Sequence, residues 1–231
     1  MNSDNTNDYV TKVQPGLTRK QFVGDALFLV QIITAVGFIG TQARLMLSTT
    51  EGISLTWLSF WGIFLLINLS LSYKAHRLQP SRVTYQTMVT YAAWTIVVVF
   101  CIGIYIWQNV TFWTPLDTWT TGLAITGIIA TLIIGYRNRL TIVDPIVRGY
   151  LGVFFKGVPQ LTLAYNIILV GGSGISTFAI VTGHINICTR LGQVIMSLRE
   201  ASWDRNRRGC AIGEIANEGS WIVATVAWLI V

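Results

Sequence analysis

Charge is scarce in this sequence: Asp, Glu, Lys and Arg make up 11% of its 231 residues, against about 25% in soluble globular domains. Histidine occurs twice and cysteine three times, and their spacing fits neither a zinc site nor a redox pair nor a disulfide framework. Cys101, Cys188 and Cys210 lie in or beside apolar runs and are expected to be buried thiols. No glycine-rich phosphate loop is present, which argues against direct ATP coupling within the chain. Neither a Ser–His–acid constellation nor a pair of catalytic carboxylates stands out. An enzyme is therefore not expected, and neither a metal nor a cofactor is called for.

What the sequence has in abundance is apolar length. Hydrophobic residues reach 52% and mean hydropathy is +0.57. A membrane-spanning helix needs about 20 mainly apolar residues. Seven runs meet that need: Ala26–Met46, Ile53–Tyr73, Met88–Trp107, Thr118–Tyr136, Ile146–Val170, Ser173–Leu198 and Ala211–Val231. The last is interrupted by Glu214 and Glu218. Long continuous runs exclude an outer-membrane β-barrel, whose strands alternate over about ten residues. The expected fold is all-α, a polytopic membrane protein with seven transmembrane helices. A retinal-binding protein also has seven, but the seventh run here contains no Lys for a Schiff base. The segment Met1–Thr18 is polar and reads, with the residues up to 25, as an N-terminal arm. The first apolar run is long enough to span, so a cleavable signal is not expected.

A net charge of +6 raises nucleic acid as a partner, but its distribution argues against that. If the seven runs alternate in direction, one side carries Lys12, Arg19, Lys20, Lys74, Arg77, Arg82, Arg137, Arg139, Arg148, Arg199, Arg205, Arg207 and Arg208. The other side carries only Arg44, while Lys156 and Arg190 fall inside runs. By the positive-inside rule the N-terminus is cytoplasmic, in a cell (inner) membrane, and the cations contact anionic lipid.

A weak internal repeat is visible. Thr41-Gln42, Gly52-Ile53-Ser54 and Trp94 recur in order as Pro159-Gln160, Gly174-Ile175-Ser176 and Trp221. Gln to Ser spans 12 residues in the first set and 16 in the second. The plan is three helices (26–107), a linker helix (118–136) and three more (146–231). An odd helix between the units gives both the same orientation, as in parallel repeats with a solute path at their interface.

On these residues the chain resembles the PQ-loop superfamily, which includes SWEET sugar transporters, SemiSWEETs and cystinosin-like transporters. TQARLMLSTTEGISLTWLSFW is similar to its motif, and VPQLTLAYNIILVGGSGIS looks like a second copy. Thr41 stands where the family usually has Pro, so a four-proline hinge does not carry over. The resemblance implies alternating-access transport of a sugar, amino acid or vitamin precursor. It implies a hinge or pathway role for Gln42, Pro159 and Gln160. It also implies a substrate-binding Asn on the third helix of a unit, for which Asn217 is the only candidate. Nicotinamide riboside transporters and KDEL receptors share the helix plan, which leaves a receptor without flux as the alternative. Lys156 and Arg190 would then hold a peptide carboxylate.

Polar groups inside a span are costly and point to function or to a partner. Glu214, Asn217, Glu218 and Trp221 follow i, i+3, i+4, i+7 spacing, one stripe of a helix. Such a stripe can hydrogen-bond a polar solute and stack on a ring, with Trp94 and Trp61 as counterparts in the first half. Asn186 belongs to a broad polar side of the sixth run with Thr182, Thr189, Arg190 and Gln193. A carboxylate in a dry site can exchange its charge for a proton, which makes Glu214 and Glu218 the candidates for proton coupling. Trp57, Trp107, Trp113 and Trp119 are expected in the aromatic belts. The expected partners are a small polar solute and membrane lipid, without nucleic acid; a homo-oligomer is compatible.

Overall fold

The computed structural model describes residues 19–108, 113–198 and 205–231, and every regular element in it is helical. Seven long helices follow one another. α1 covers residues 19–46 and contains a π turn at Ile39–Ala43. α2 is Leu55–Leu78, α3 is Arg82–Trp107 and α4 is Pro115–Arg137. α5 covers Pro145–Val170 with a second π turn at Val153–Gly157. α6 is Thr177–Leu198 and α7 is Arg205–Ile230. Five of them, α1 to α5, are long and apolar enough to cross a membrane. The chain is therefore an all-helical protein of the multi-pass membrane type. The expected arm lies largely outside the described residues, as do Lys12 and Arg199.

Helix starts are written in short polar signals that apolar runs alone do not reveal. Ser54 caps α2, accepting from Trp57 N at 3.1 Å. Reciprocal capping boxes, Ser81 with Thr84 and Thr114 with Asp117, open α3 and α4. Asp144 caps α5 just ahead of Pro145, whose missing N–H costs nothing in a first turn. Consequently α3 begins at Arg82 rather than Met88 and α4 at Pro115, while α7 is already helical at Arg205, ahead of Ala211. In contrast, α6 begins at Thr177 rather than Ser173, because Gly171 at φ 98° and the residues after it form the connection.

The molecule is apolar outside as well as in its core. Large apolar side chains such as Ile96, Val99, Ile133 and Ile134 cover its outer surface, while Gln31, Asn68, Asn166, Gln160 and Asn217 are buried. An apolar exterior on this scale needs lipid. Trp107, Trp113 and Trp119 are exposed at helix ends, where an aromatic belt would lie. Of the three cysteines only Cys101 is buried; Cys188 and Cys210 are exposed, on helix flanks that face outward or into a cleft.

α3 packs against both α1 and α2, and α7 packs against both α5 and α6. α1 also meets α6, α2 meets α5, and α4 lies against α5. The α5–α7 crossing is close because small residues face each other: Gly149 and Gly152 on α5, Gly209 and Gly213 on α7. A Cβ on Gly209 would stand 1.9 Å from Pro145 O, so only glycine fits there.

Candidate functional site: a tryptophan-lined central cavity

The short connections put residues 47–54 and 171–176 at one end of the molecule. The opposite, basic end carries Lys74, Arg77, Arg82, Arg137, Arg139, Arg205 and Arg208. A cavity of about 640 Å³, counting its mouth, lies between α1–α3 on one side and α5–α7 on the other. Its apolar wall is aromatic. Trp57 stacks on Trp61 with ring centres 5.3 Å apart, and on Trp221 at 6.0 Å. Trp61 leans on Trp94 at 5.7 Å, and Phe38 meets Trp61 and Trp94 edge-on. Trp57 and Trp61 are one turn apart on α2, so both face inward. Trp57 therefore belongs to the cavity and not to an interfacial belt.

The polar wall comes mainly from α5, α6 and α7. Asn186, Arg190, Lys156, Gln160, Glu214 and Asn217 all line the cavity. Gln160 Nε2 donates to Asn217 Oδ1 at 3.1 Å, and Ser220 Oγ donates to Gln160 Oε1. Arg190 Nε sits 2.9 Å from Glu214 Oε1, and its Nη2 donates to the Tyr91 hydroxyl at 3.2 Å. Arg190 lies eight residues before the end of α6 at Leu198, roughly 12 Å along the helix axis from the basic end. Its charge is met by Glu214. Lys156, in the second π turn, has no hydrogen-bond or ion-pair partner among the described residues; its Nζ stands 5.5 Å over the Phe64 ring.

The expected stripe on α7 divides. Glu214, Asn217 and Trp221 face the cavity, whereas Glu218 does not line it. At about 100° per residue, Glu218 is rotated roughly 100° from Asn217, onto the flank that meets α6. There Glu218 Oε1 lies 2.9 Å from His184 Nδ1, while His184 Nε2 lies 2.9 Å from Thr225 Oγ1. His184 thus ties α6 to α7. Trp221 packs against Gly183, where a Cβ would come within 2.4 Å of its Nε1, and donates to Ile180 O at 3.2 Å.

A second cavity shares Phe64, Tyr91, Lys156, Arg190 and Glu214 with the first and continues toward Pro145 and Gly209 at the basic end. Asn68 and Arg148 line it, joined by a 2.6 Å hydrogen bond from Arg148 Nη2 to Asn68 Oδ1. The opposite end is shut. Gln42 does not line the cavity: its Nε2 donates to Gly174 O at 2.6 Å and its Oε1 accepts from Ser176 N at 3.0 Å. Gly174 N donates to Glu51 O at 3.0 Å, and Ser173 donates to the Glu51 carboxylate. Backbone meets backbone here: a Cβ on Gly52, which is at φ 78°, would stand 2.3 Å from Gly171 O. Pro159 is buried beside the second π turn and does not line the cavity. The wider turn just before it takes up the carbonyl geometry that a proline disturbs.

Sequence reasoning did not single out Phe38, Phe64, Tyr91 or Gly183 as lining residues. Phe and Tyr in an apolar run have no distinguishing period, so only packing selects them. Among the described residues no cluster of His, Cys, Asp and Glu could hold a metal ion. Comparison with known proteins finds no matching family model, no matching curated protein and no matching solved structure.

Proposed function

We propose that this chain is a seven-span carrier for a small polar solute, working by alternating access between two parallel three-helix bundles. In this reading residues 26–107 and 146–231 are the bundles and 118–136 the linker helix. The carrying observation is a cavity walled by both halves, closed at the 47–54 end and continued toward the basic end. The same neighbour order, with the third helix between the first and second, occurs in each half. Ser54 and Ser176 each cap the second helix of their half, with buried Ile53 and Ile175 before them. These correspondences support a duplicated unit, and they favour the PQ-loop resemblance without depending on it. α6 and α7 complete the seven spans in this reading, because the described side chains of His184, Asn186, Arg190, Glu214, Asn217 and Glu218 turn toward one another or into the cavity rather than toward lipid. The basic end then faces the cytoplasm, and the cavity is in an inward-facing state.

The test is solute flux. Purified protein in liposomes is challenged with a broad metabolite panel, beside Asn217→Ala and Trp221→Ala. The reading expects at least one solute to be moved, with a tenfold or greater loss in both variants while their melting temperatures stay within a few degrees of wild type. Binding of a solute without flux would instead favour a receptor, and flux unchanged in both variants would remove the cavity from the pathway.

A further inference from the structure

The cavity's charges are unbalanced, and the imbalance has a location. Among the described lining residues of the two joined cavities, the cations are Arg148, Lys156 and Arg190, and the only carboxylate is Glu214. Arg190 and Glu214 form an ion pair at 2.9 Å, and Lys156 lies within electrostatic range of the same carboxylate. Arg148, nearer the basic end, is engaged by Asn68. One carboxylate therefore serves two cations beside the aromatic wall, Arg190 by contact and Lys156 at longer range, which leaves one positive charge in excess there; cations placed away from water require an anion or several acceptors. The cavity also holds an unmet neutral donor: Trp94 Nε1 is buried and without an acceptor. Two acceptor atoms on lining residues, Asn186 Oδ1 and Glu214 Oε2, are likewise buried and unmet.

Resting on the carrier reading above, we infer that the solute is a small aromatic monocarboxylate, its ring held among Trp57, Trp61, Trp94 and Trp221 and its carboxylate at Lys156. The stacked indoles form an apolar, polarizable wall against which a planar ring can pack. Of the two excess cations, Arg148 stands toward the basic end, and the one beside the indole wall, where Lys156 and Arg190 share Glu214, matches one negative charge. The path from the basic end, passing Arg148 and Arg190, attracts anions and repels cations before they reach the box. A neutral polyol would leave the excess charge unmatched, and a cationic solute would stand against both Lys156 and Arg190.

The experiment uses three probes of one shape: indole-3-propionate, indole-3-propionamide and tryptamine. Binding to the full chain in lipid nanodiscs is measured by calorimetry. The acid should bind at least tenfold tighter than the amide, and the amine weakest. Lys156→Met should bring the acid to the amide's affinity while the amide's changes less than twofold, and Lys156→Arg should retain the preference. Melting temperatures of both variants identify a folding defect, and the arginine variant carries the test if the methionine variant fails to fold. Equal affinity for acid and amide, a preference for the amine, an acid preference that survives Lys156→Met, or binding of none of the three would overturn the inference. Flux of other solutes with no binding of the acid leaves the carrier reading standing and this one lost. Lys156-dependent binding of the acid without any flux does the reverse.

Discussion

Gln42 on α1 grips the start of α6 through both ends of its amide, donating to Gly174 O at 2.6 Å and accepting from Ser176 N at 3.0 Å. One buried side chain thereby satisfies a loop carbonyl and an orphan N–H at a helix start. It also fixes the distance between the two halves at the closed end. Gln42→Leu leaves both groups unpaired in a dry place, at a cost of about 1–3 kcal/mol each. A lower melting temperature is expected, together with faster reaction of a cysteine placed at Ser173 with a water-soluble maleimide. Gln42→Glu keeps the acceptor for Ser176 and should fall between.

The closed end also depends on bare backbone. In Gly174→Ala the new methyl would come 2.4 Å from Glu51 O, and backbone cannot move aside as a flexible side chain can. Overpacking of this kind costs about 1–3 kcal/mol. The same loss of closure as in the Gln42 variants is expected, read by the same cysteine at Ser173. A Gly24→Ala control has open space around its Cβ and should behave as wild type.

Arg190 and Glu214 form a pair whose members are each costly alone. Glu214→Gln strands a guanidinium, at an expected cost of about 3–5 kcal/mol, whereas Arg190→Met leaves Glu214 the longer-range Lys156 ammonium and should cost less. The double variant should be more stable than either single one. A thermal-stability cycle checks this, and simple additivity would show that the two charges do not depend on each other.

At the basic end, outside the spans, Asp144 and Arg205 are 2.9 Å apart. Partial burial pushes the Asp144 carboxyl upward, but hydrogen bonds from Arg205 and from the Ile146 and Val147 N–H groups outweigh it and hold the group below its ordinary value. A carboxyl depressed in the folded state contributes stability above its unfolded pKa, about 3.9. That contribution is lost as the pH falls through the folded value. Wild type should therefore melt above Asp144→Asn at neutral pH, and the gap should close below about pH 4.

Orientation can be read with two single cysteines in a background lacking Cys101, Cys188 and Cys210. Ser48→Cys lies at the closed end and Asn138→Cys at the basic end, both at exposed positions. In intact cells an impermeant maleimide should label the first and not the second. The opposite pattern would invert the assignment of the N-terminus to the cytoplasm.

Several features of this protein were legible in one dimension. Helical class, the approximate extent of the apolar runs and the crowding of cations at one end follow from composition and period, because lipid accepts only backbones that satisfy their own hydrogen bonds. Asn217, Trp221, Trp94, Trp61 and Asn186 could be picked out as polar or aromatic groups too costly or too conspicuous for a lipid face. Helix starts were legible only in part, since caps such as Ser81–Thr84 lie in the polar stretches that apolar runs ignore. Tertiary packing decided the rest. It separated Glu218 from Asn217 by rotating one toward His184 and the other into the cavity, and it matched Arg190 with Glu214 across two helices. It gathered Trp57 with Trp221 from opposite halves of the chain. Finally, it set Lys156 and Arg190 around a single carboxylate, Glu214. Periodicity ranks faces on one helix, but which neighbour a face meets depends on helices far away in the chain.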